Sequence, residues 1–485
     1  MSPQDLHNIS EISETFQEAT TYDHAFTPVP EAERKGMLSM GLLWLATETT
    51  FPTMFIGFAA EQSGQSLQNM LIASLLATTL ISIYGVLAGI LGARTGQMQP
   101  LLTRSIFGKW GSAIVSIFLI LMGSGWYSFQ AVYAAQAVQG MLNTTISSVV
   151  IAVIFTVFMS LNNVIGFKGI GTFGKYLAPF LFFIAIYSFV SVIMKTPSHM
   201  LWNNKISSGS MPIFAIATIL IGGSLYGNEP DVWRFAKNKV RNVAIPMVFA
   251  YAIGLFVFPS AGWAMGLSAT ASTPAMQGHI IIQYLFGLVP IGVIILVASQ
   301  MAQNDINLYE SINAMTNIFG LKRYISIAIL IFIGVFVSIW MATSVTQNVF
   351  FLVAGIGAST VPTATTIMAV DVLFVPKLFG IRRDFSHVIK WNEVHHNNWI
   401  AVFAMITGVV VSIILSIPGN VIPDFGLSIG IAPFEGWLAA SISYVAVIYM
   451  FRKTTFIRAA LGLISAEDGT FNIQHVIPSF DRLSK

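Results

Sequence analysis

Two stretches decide the architecture: LLWLATETTFPTMFIGF at residues 42–58 and ILIGGSLYGNEPDVWRF at 219–235. Both are apolar enough to enter a bilayer, yet both are interrupted. In the first, the polar cluster Thr47-Glu48-Thr49-Thr50 is followed by Pro52, which removes a backbone donor. In the second, Gly222, Gly223, Gly227 and Pro230 break the run. Gly and Pro are common in membrane helices, and that alone accounts for either break. It accounts less well for the matched pair.

The rest of the chain places these stretches in a series of spans. Of 485 residues, 55% are apolar and 9% charged, and the mean hydropathy is +0.74. Ordinary soluble proteins carry about 25% charged residues. A soluble chain of this length needs several domains, and 24 basic plus 21 acidic side chains cannot coat them. The composition specifies an all-α polytopic membrane protein. Runs long enough to cross about 30 Å of hydrocarbon recur twelve times: 37–58, 69–92, 112–139, 147–165, 175–194, 212–235, 243–266, 289–314, 324–345, 347–374, 399–417 and 434–451. With both termini cytoplasmic, 22 of the 24 bases fall inside and only Lys195 and Lys205 outside. Cytoplasmic loops collect Lys and Arg, so the count and orientation support each other. The first 36 residues are polar, hold seven acids and show no cleavable signal. The absence of Cys excludes disulfides and thiolate chemistry, and a net charge of +3 gives no reason to expect nucleic acid.

The acids are distributed differently from the bases. Glu48 follows Gly36 by 12 residues, which puts it roughly 18 Å deep at 1.5 Å per residue. Glu229 and Asp231 fall in the inner half of the sixth span, Asp305 and Glu310 in that of the eighth, and Asp371 near the inner end of the tenth. An ionisable group at such depth costs at least about 2.5 kcal/mol unless it meets a partner or water. Asp231, Glu310 and Asp371 lie near basic loops, where structural pairing or gating is the simpler role. For Glu48 and Asp305 a functional role is the stronger expectation. Two broken helices five spans apart point to an inverted-repeat secondary transporter with its site near the midplane.

The third span offers a recognition surface. In GSGWYSFQAVYAAQAV (123–138), Trp126 and Gln130 are four apart and share a helix face. A Trp presents a flat apolar surface and a Gln amide both a donor and an acceptor, although such a pair can equally pack between helices. The eighth span, SQMAQNDINLYES (299–311), crowds Gln300, Gln303, Asn304, Asp305 and Asn307 together. Unpaired amides in lipid are costly, so a water-filled cavity is the simplest setting for them.

From Pro28 to Phe451 the chain resembles the nucleobase–cation symporters, which include cytosine permeases, purine–cytosine permeases and hydantoin transporters. The resemblance rests on PVPEAERKG (28–36), GARTG (92–96), Gly125-Trp126, PDVWRFAKN (230–238), NDINLY (304–309), and Pro362 followed by Asp371. The nearest branch by these strings is the bacterial cytosine permeases. The resemblance implies alternating access by a five-plus-five inverted repeat, 37–194 and 195–375. A cytoplasmic loop (376–398) and two further helices (399–453) follow, between a polar tail (1–36) and a C-terminal tail (454–485). It implies that a planar heterocycle stacks on Trp126, with Gln130, Asn304 and Ser224 as its polar contacts. Gln303 is grouped with these.

Two departures alter what can be carried over. Relatives close the ring sandwich with an aromatic residue of the sixth span, where this chain has Gly222. Either one wall is missing, leaving room for a bulkier ring such as a purine, or Tyr226 or Phe51 supplies it. Sodium-coupled relatives use span 1 carbonyls, here at Ala46 and Thr49, and two hydroxyl side chains of span 8, here Ala302 and Gln303. A hard cation wants oxygen ligands, and the Ala302 side chain has none. Glu48 lies between the two carbonyl positions. A carboxyl group held out of water resists ionisation and can carry a proton, so proton coupling is expected, with Glu48 the leading carrier and Asp305 the second. Sodium remains open if Glu48 itself ligates the ion.

No cofactor or metal is expected, since the eight His fall outside the core and no phosphate-binding loop ending in Lys-Ser/Thr is present. A channel or facilitator and an intramembrane enzyme are the competing classes. The paired breaks and the midplane carboxylate argue against the first, and the lack of a nucleophile–base set against the second. The expected partners are a small-molecule nucleobase and the lipid bilayer, with the chain acting as a monomer in the cell membrane.

Overall fold

Helix α1 (Met37–Glu48) stops inside the Thr47–Thr50 cluster, and α2 (Phe51–Gln62) starts after Thr49 and Thr50. Thr50 is extended, and Pro52 sits in the first turn of α2, where its missing N–H costs nothing. The fold is known from a computed structural model that describes residues 24–202, 206–207, 210–224, 227–267, 273–282, 287–344, 346–394, 396–416, 430–461 and 476–478. The chain continues through α3 (Leu67–Thr95), α4 (Gln99–Leu142), α5 (Ser148–Phe158), α6 (Leu161–Ile165), α7 (Phe167–Lys195) and the short α8 (Ser198–Leu201). A second short pair follows, α9 (Ile213–Ser224) and α10 (Glu229–Trp233), with positive φ at Gly227 between them. Then come α11 (Val240–Ala252), a π-helical turn at Ile253–Val257, α12 (Phe258–Gly266), α13 (Pro274–Ile281), α14 (Val289–Phe319), α15 (Arg323–Ala342) and α16 (Thr346–Leu373). The chain closes with α17 (Val375–Phe379), α18 (Trp399–Ser416), α19 (Ala432–Phe451) and α20 (Thr455–Ala460), plus one antiparallel strand pair, β1 (Ile381–Arg383) with β2 (Val476–Pro478).

Among the described residues, ten helical stretches are long and apolar enough to cross a membrane. They match ten of the expected spans, and the other two correspond to the α1/α2 and α9/α10 pairs. Large apolar side chains such as Leu75, Phe180, Phe183, Phe332, Phe336 and Ile442 are exposed. In a multi-pass protein this surface faces hydrocarbon, which removes the usual penalty for leaving it uncovered.

The interior is tied together where helices approach closely. Trp44 of α1 meets Trp233 at 5.8 Å and Tyr251 at 6.3 Å, both edge to face. Gly262 of α12 lies against the Met54 backbone of α2, and Gly254 of the π turn lies against the Glu48 backbone. Neither position has space for a Cβ. A wider turn, with its disrupted bonding pattern, thus packs on the end of α1.

Several expected boundaries and environments differ. Helix α7 starts eight residues before position 175, at the positive-φ Gly166. Span 3 is the later part of α4, whose first turns are set off by Gly108 at φ 73°. A side chain at Gly108 would strike the His396 carbonyl, so only glycine permits this bend. Three bases counted on the inner side, Arg104, Arg234 and Arg383, have side chains buried inside protein. Residues 24–36 of the polar tail are docked rather than free. Val29 N–H donates to Gly96 O at 2.8 Å, and Lys35 pairs with Ala236. Residues 1–23, Lys205, Tyr226 and most of 462–485 lie outside the described residues.

Asp371 has the structural pairing expected of it. Arg383 grips it through Nε (2.6 Å) and Nη2 (3.1 Å), Tyr444 donates to the same carboxylate at 2.5 Å, and Arg383 Nη1 donates to Ser105 O and Leu461 O. Breaking one partner of a buried pair costs about 3–5 kcal/mol. Asp371→Asn is therefore expected to lower the thermal denaturation midpoint in detergent well below that of a surface control such as Glu393→Gln. An unchanged midpoint would show that the pair does not hold this corner.

Candidate substrate and coupling site

The Trp126–Gln130 face of α4 points inward, and both residues are buried. Trp126 stands edge to face with Phe350 of α16 at 5.9 Å and with Phe129 at 5.7 Å. Phe350 also meets Phe129 at 5.3 Å and Phe55 at 5.8 Å. An aromatic side chain therefore stands against Trp126, and α16 supplies it. Helix α9 explains why. A Cβ on Gly222 would lie 2.7 Å from Ala354 O, and one on Gly223 would lie 3.2 Å from the Phe350 ring. The space that Gly222 was expected to leave open is thus taken by α16. Phe51, the other proposed wall, packs against Phe258 at 5.5 Å.

Beside this aromatic group, Gln130 Nε2 donates to Gln303 Oε1 of α14. The bond consumes one donor and leaves Gln130 Oε1, buried, without a hydrogen-bond partner. A free acceptor next to flat aromatic faces suits a ring N–H. Asn304, the next residue on α14, is engaged elsewhere: Nδ2 donates to Tyr127 O at 3.0 Å and contacts Met159 Sδ at 3.2 Å, while Oδ1 accepts from Asn307 at 3.3 Å.

Glu48 is 1% exposed, and neither carboxyl oxygen has a hydrogen-bond partner. The Ser224 hydroxyl of α9 lies beside it, and Glu229 of α10 is within electrostatic range. The two helix interruptions therefore meet at this carboxyl group. The neighbouring hydroxyls of Thr49 and Thr50 are also buried without partners, whereas Thr47 bonds back to Leu43 O at 3.0 Å. Ala46 and Ala302 are buried on α1 and α14. Asp305 stands apart from this group. Asn162 donates to its Oδ2 at 2.8 Å, and Asn163 donates to its backbone oxygen at 3.0 Å. Phe350, Asn162 and Tyr84 are site or near-site residues that the sequence reading missed. The Phe350-Phe351 pair and the lone Tyr84 in an apolar run are the only signals they leave.

The fold and this interior, with buried polar groups among long apolar helices, define a multi-pass membrane protein. A family profile described as permeases for cytosine/purines, uracil, thiamine and allantoin matches residues 28–431, and the chain belongs to that family. It is similar to the cytosine permease of Escherichia coli K12, with 25% identity across 88% of this chain and 95% of that one. The purine-uracil permease NCS1 of Arabidopsis thaliana is 25% identical over 55% of this chain and 47% of its own. Among solved structures, Mhp1, a nucleobase-cation-symport-1 family transporter in a closed conformation with bromovinylhydantoin bound, superposes with a TM-score of 0.69 at 16% identity. That match covers 90% of this chain and 98% of Mhp1.

Because Asn304 bonds to protein groups, Asn304→Ala removes its bonds to the Tyr127 carbonyl and to Asn307, each worth about 0.5–1.5 kcal/mol. We expect a lowered melting temperature even without substrate. A variant as stable as the parent but unable to bind would instead make Asn304 a direct ligand contact.

Proposed function

We propose that the protein imports a nucleobase, purine or cytosine, by symport with protons. The substrate lies between Trp126 and Phe350, with the Gln130 acceptor and Gln303 reading its edge and Ser224 close by. The observation that supports this most is the free buried acceptor at Gln130 beside the Trp126–Phe129–Phe350 aromatic group, a pairing suited to planar rings with amide-like edges. The names of the cytosine and purine-uracil permeases among its relatives favour the same substrate class.

In this reading α1/α2 and α9/α10 are the broken first and sixth of twelve spans, arranged as two inverted repeats of five with two helices added. Both ends are cytoplasmic, the membrane is the cell membrane, and the monomer is the working unit. Glu48, at the junction of the two breaks, takes a proton from outside and releases it inside. A carboxyl group without a partner in a dry interior is stable when neutral, so the protonated form is the one enclosed with the substrate, and discharge needs access to cytoplasmic water. Asp305, held by Asn162, acts as a structural or secondary group.

A sodium-coupled version has one observation in its favour. The unpartnered Thr49 and Thr50 hydroxyls next to Glu48, with the Ala46 and Thr49 carbonyls at the end of α1, present the oxygens that a hard cation prefers.

Uptake into proteoliposomes under separate pH and sodium gradients tests the coupling. Accumulation is expected to follow an acid-outside gradient and to disappear in Glu48→Gln. Accumulation driven by sodium at constant pH, indifferent to a protonophore under voltage clamp, would refute proton coupling. Base–aromatic stacking is worth about 1–3 kcal/mol per ring, so Trp126→Ala and Phe350→Ala are each expected to weaken nucleobase binding roughly 5- to 150-fold. If Phe350→Ala binds like the parent, the second wall lies elsewhere.

A further inference from the structure

Glu48 belongs to a larger group of buried carboxyls. Glu229 and Asp231 of α10 and Glu310 of α14 are each at most 1% exposed. Glu48 interacts electrostatically with Glu229, and Glu310 with both Glu229 and Asp231. Tyr84 of α3 donates to Glu229 Oε2 at 2.9 Å and is also within electrostatic range of Glu310. Gly227 N–H donates to Glu229 Oε1 at 3.3 Å, and Gln99 N–H at the start of α4 donates to Asp231 Oδ1 at 2.8 Å. One oxygen each of Glu310 and Asp231, like both of Glu48, has no hydrogen-bond partner.

Other described groups stand against this set. Arg234 of α10 lies beside Asp231, and its guanidinium donates to Tyr309 OH (2.9 Å), Asp231 O (3.2 Å) and His24 O (3.0 Å). Thr365 of α16 bonds to Gln99 and to Gly227 O, and Asn313 of α14 lies near Asp231. Four carboxyls thus share a dry interior with one guanidinium among the described residues. They cannot all be ionised. Protons or a bound cation must neutralise some of them. Among the described residues no three acidic or imidazole side chains converge closely enough to hold a metal ion, so the arrangement is a series rather than a cage.

We infer that Glu48, Glu229 and Glu310 form a carboxyl relay that carries the coupling proton from the helix break to Asp231 and Arg234 at the cytoplasmic end. The inference rests on the proton-coupled reading above and adds the exit path to it. In each step one carboxylic acid loses H+ to the next carboxylate, the Tyr84 hydroxyl and water complete the hydrogen-bonded path, and the last carboxyl discharges to cytoplasmic water. The order is spatial. Glu48 neighbours Glu229, Glu310 neighbours Glu229 and Asp231, and Arg234 beside Asp231 reaches His24 of the docked tail.

The test uses the full chain in liposomes loaded with a pH-sensitive dye, with radiolabelled cytosine as probe and adenine as the alternative. Glu229→Gln and Glu310→Gln are expected to retain counterflow of labelled against unlabelled base, which needs alternating access but no net proton movement. Their gradient-driven accumulation ratio is expected to fall to about one, the value for an uncoupled carrier, with partial recovery in the Asp variants. If both Gln variants accumulate and co-transport protons like the parent while Glu48→Gln does not, the relay is wrong and proton coupling stands. If the parent itself responds only to sodium, the coupling reading fails and takes the relay with it. Should a Gln variant lose counterflow, difference infrared spectra of the Asp variants decide. A carboxylic-acid C=O band at neutral pH that shifts on Glu→Asp supports the relay, and the absence of any such band overturns it.

Discussion

Taking a carboxylate out of water is the cost around which this molecule is organised. Asp371 meets it in full, with a bidentate guanidinium and a tyrosine hydroxyl on its oxygens. Glu48 meets it with nothing but a nearby serine and another acid. The same physical constraint therefore yields two kinds of carboxylate. One is paired, and it holds this corner of the protein together. The other has no such partners, and in the proposed mechanism it is the group that carries the proton. A coupling group has to be of the second kind, because a fully paired charge has no reason to change.

The aromatic part of the interior follows from backbone approach. Two glycines at the end of α9 allow α16 to come within contact distance, and α16 brings Phe350 to the face of the Trp126 cluster. A bulky residue on α9 would push α16 away. The exchange of a side chain on one helix for a side chain on its neighbour keeps an aromatic pair while changing which helix must move to release a ring. Gln130 and Gln303 add a polar edge to the same place, and their mutual bond fixes which acceptor remains free.

Much of the fold was legible in the sequence because the bilayer imposes length and charge rules on every span. The interruption at Thr47–Thr50 and the Gly222–Pro230 break are visible in single residues, and so is the burial of Glu48. The site was less legible. Trp126 and Gln130 share a face at helical spacing, but Phe350 is distant in sequence and carries no motif. That Gly222 is filled from outside, and not left empty, depends on a helix crossing which no local pattern encodes. Asn304 and Asp305 looked alike as polar intruders in an apolar span. Only their neighbours, the Tyr127 carbonyl for one and Asn162 for the other, distinguish their tasks. The docking of residues 24–36 was hidden for a similar reason, since a polar tail composition says nothing about backbone partners.

The Arg383 knot has a mechanical consequence. One guanidinium reaches the end of α16, the Ser105 carbonyl of α4 and the Leu461 carbonyl beyond α20, while Tyr444 joins α19 to the same point. Segments hundreds of positions apart are riveted at a single joint, so these helix ends behave as a chassis. Any rocking must then be taken up where the backbone is already discontinuous, at Thr49-Thr50 and around Gly227. A frame that is stiff at one corner and jointed at its centre converts a small swing at the joint into opposite displacements at the two mouths.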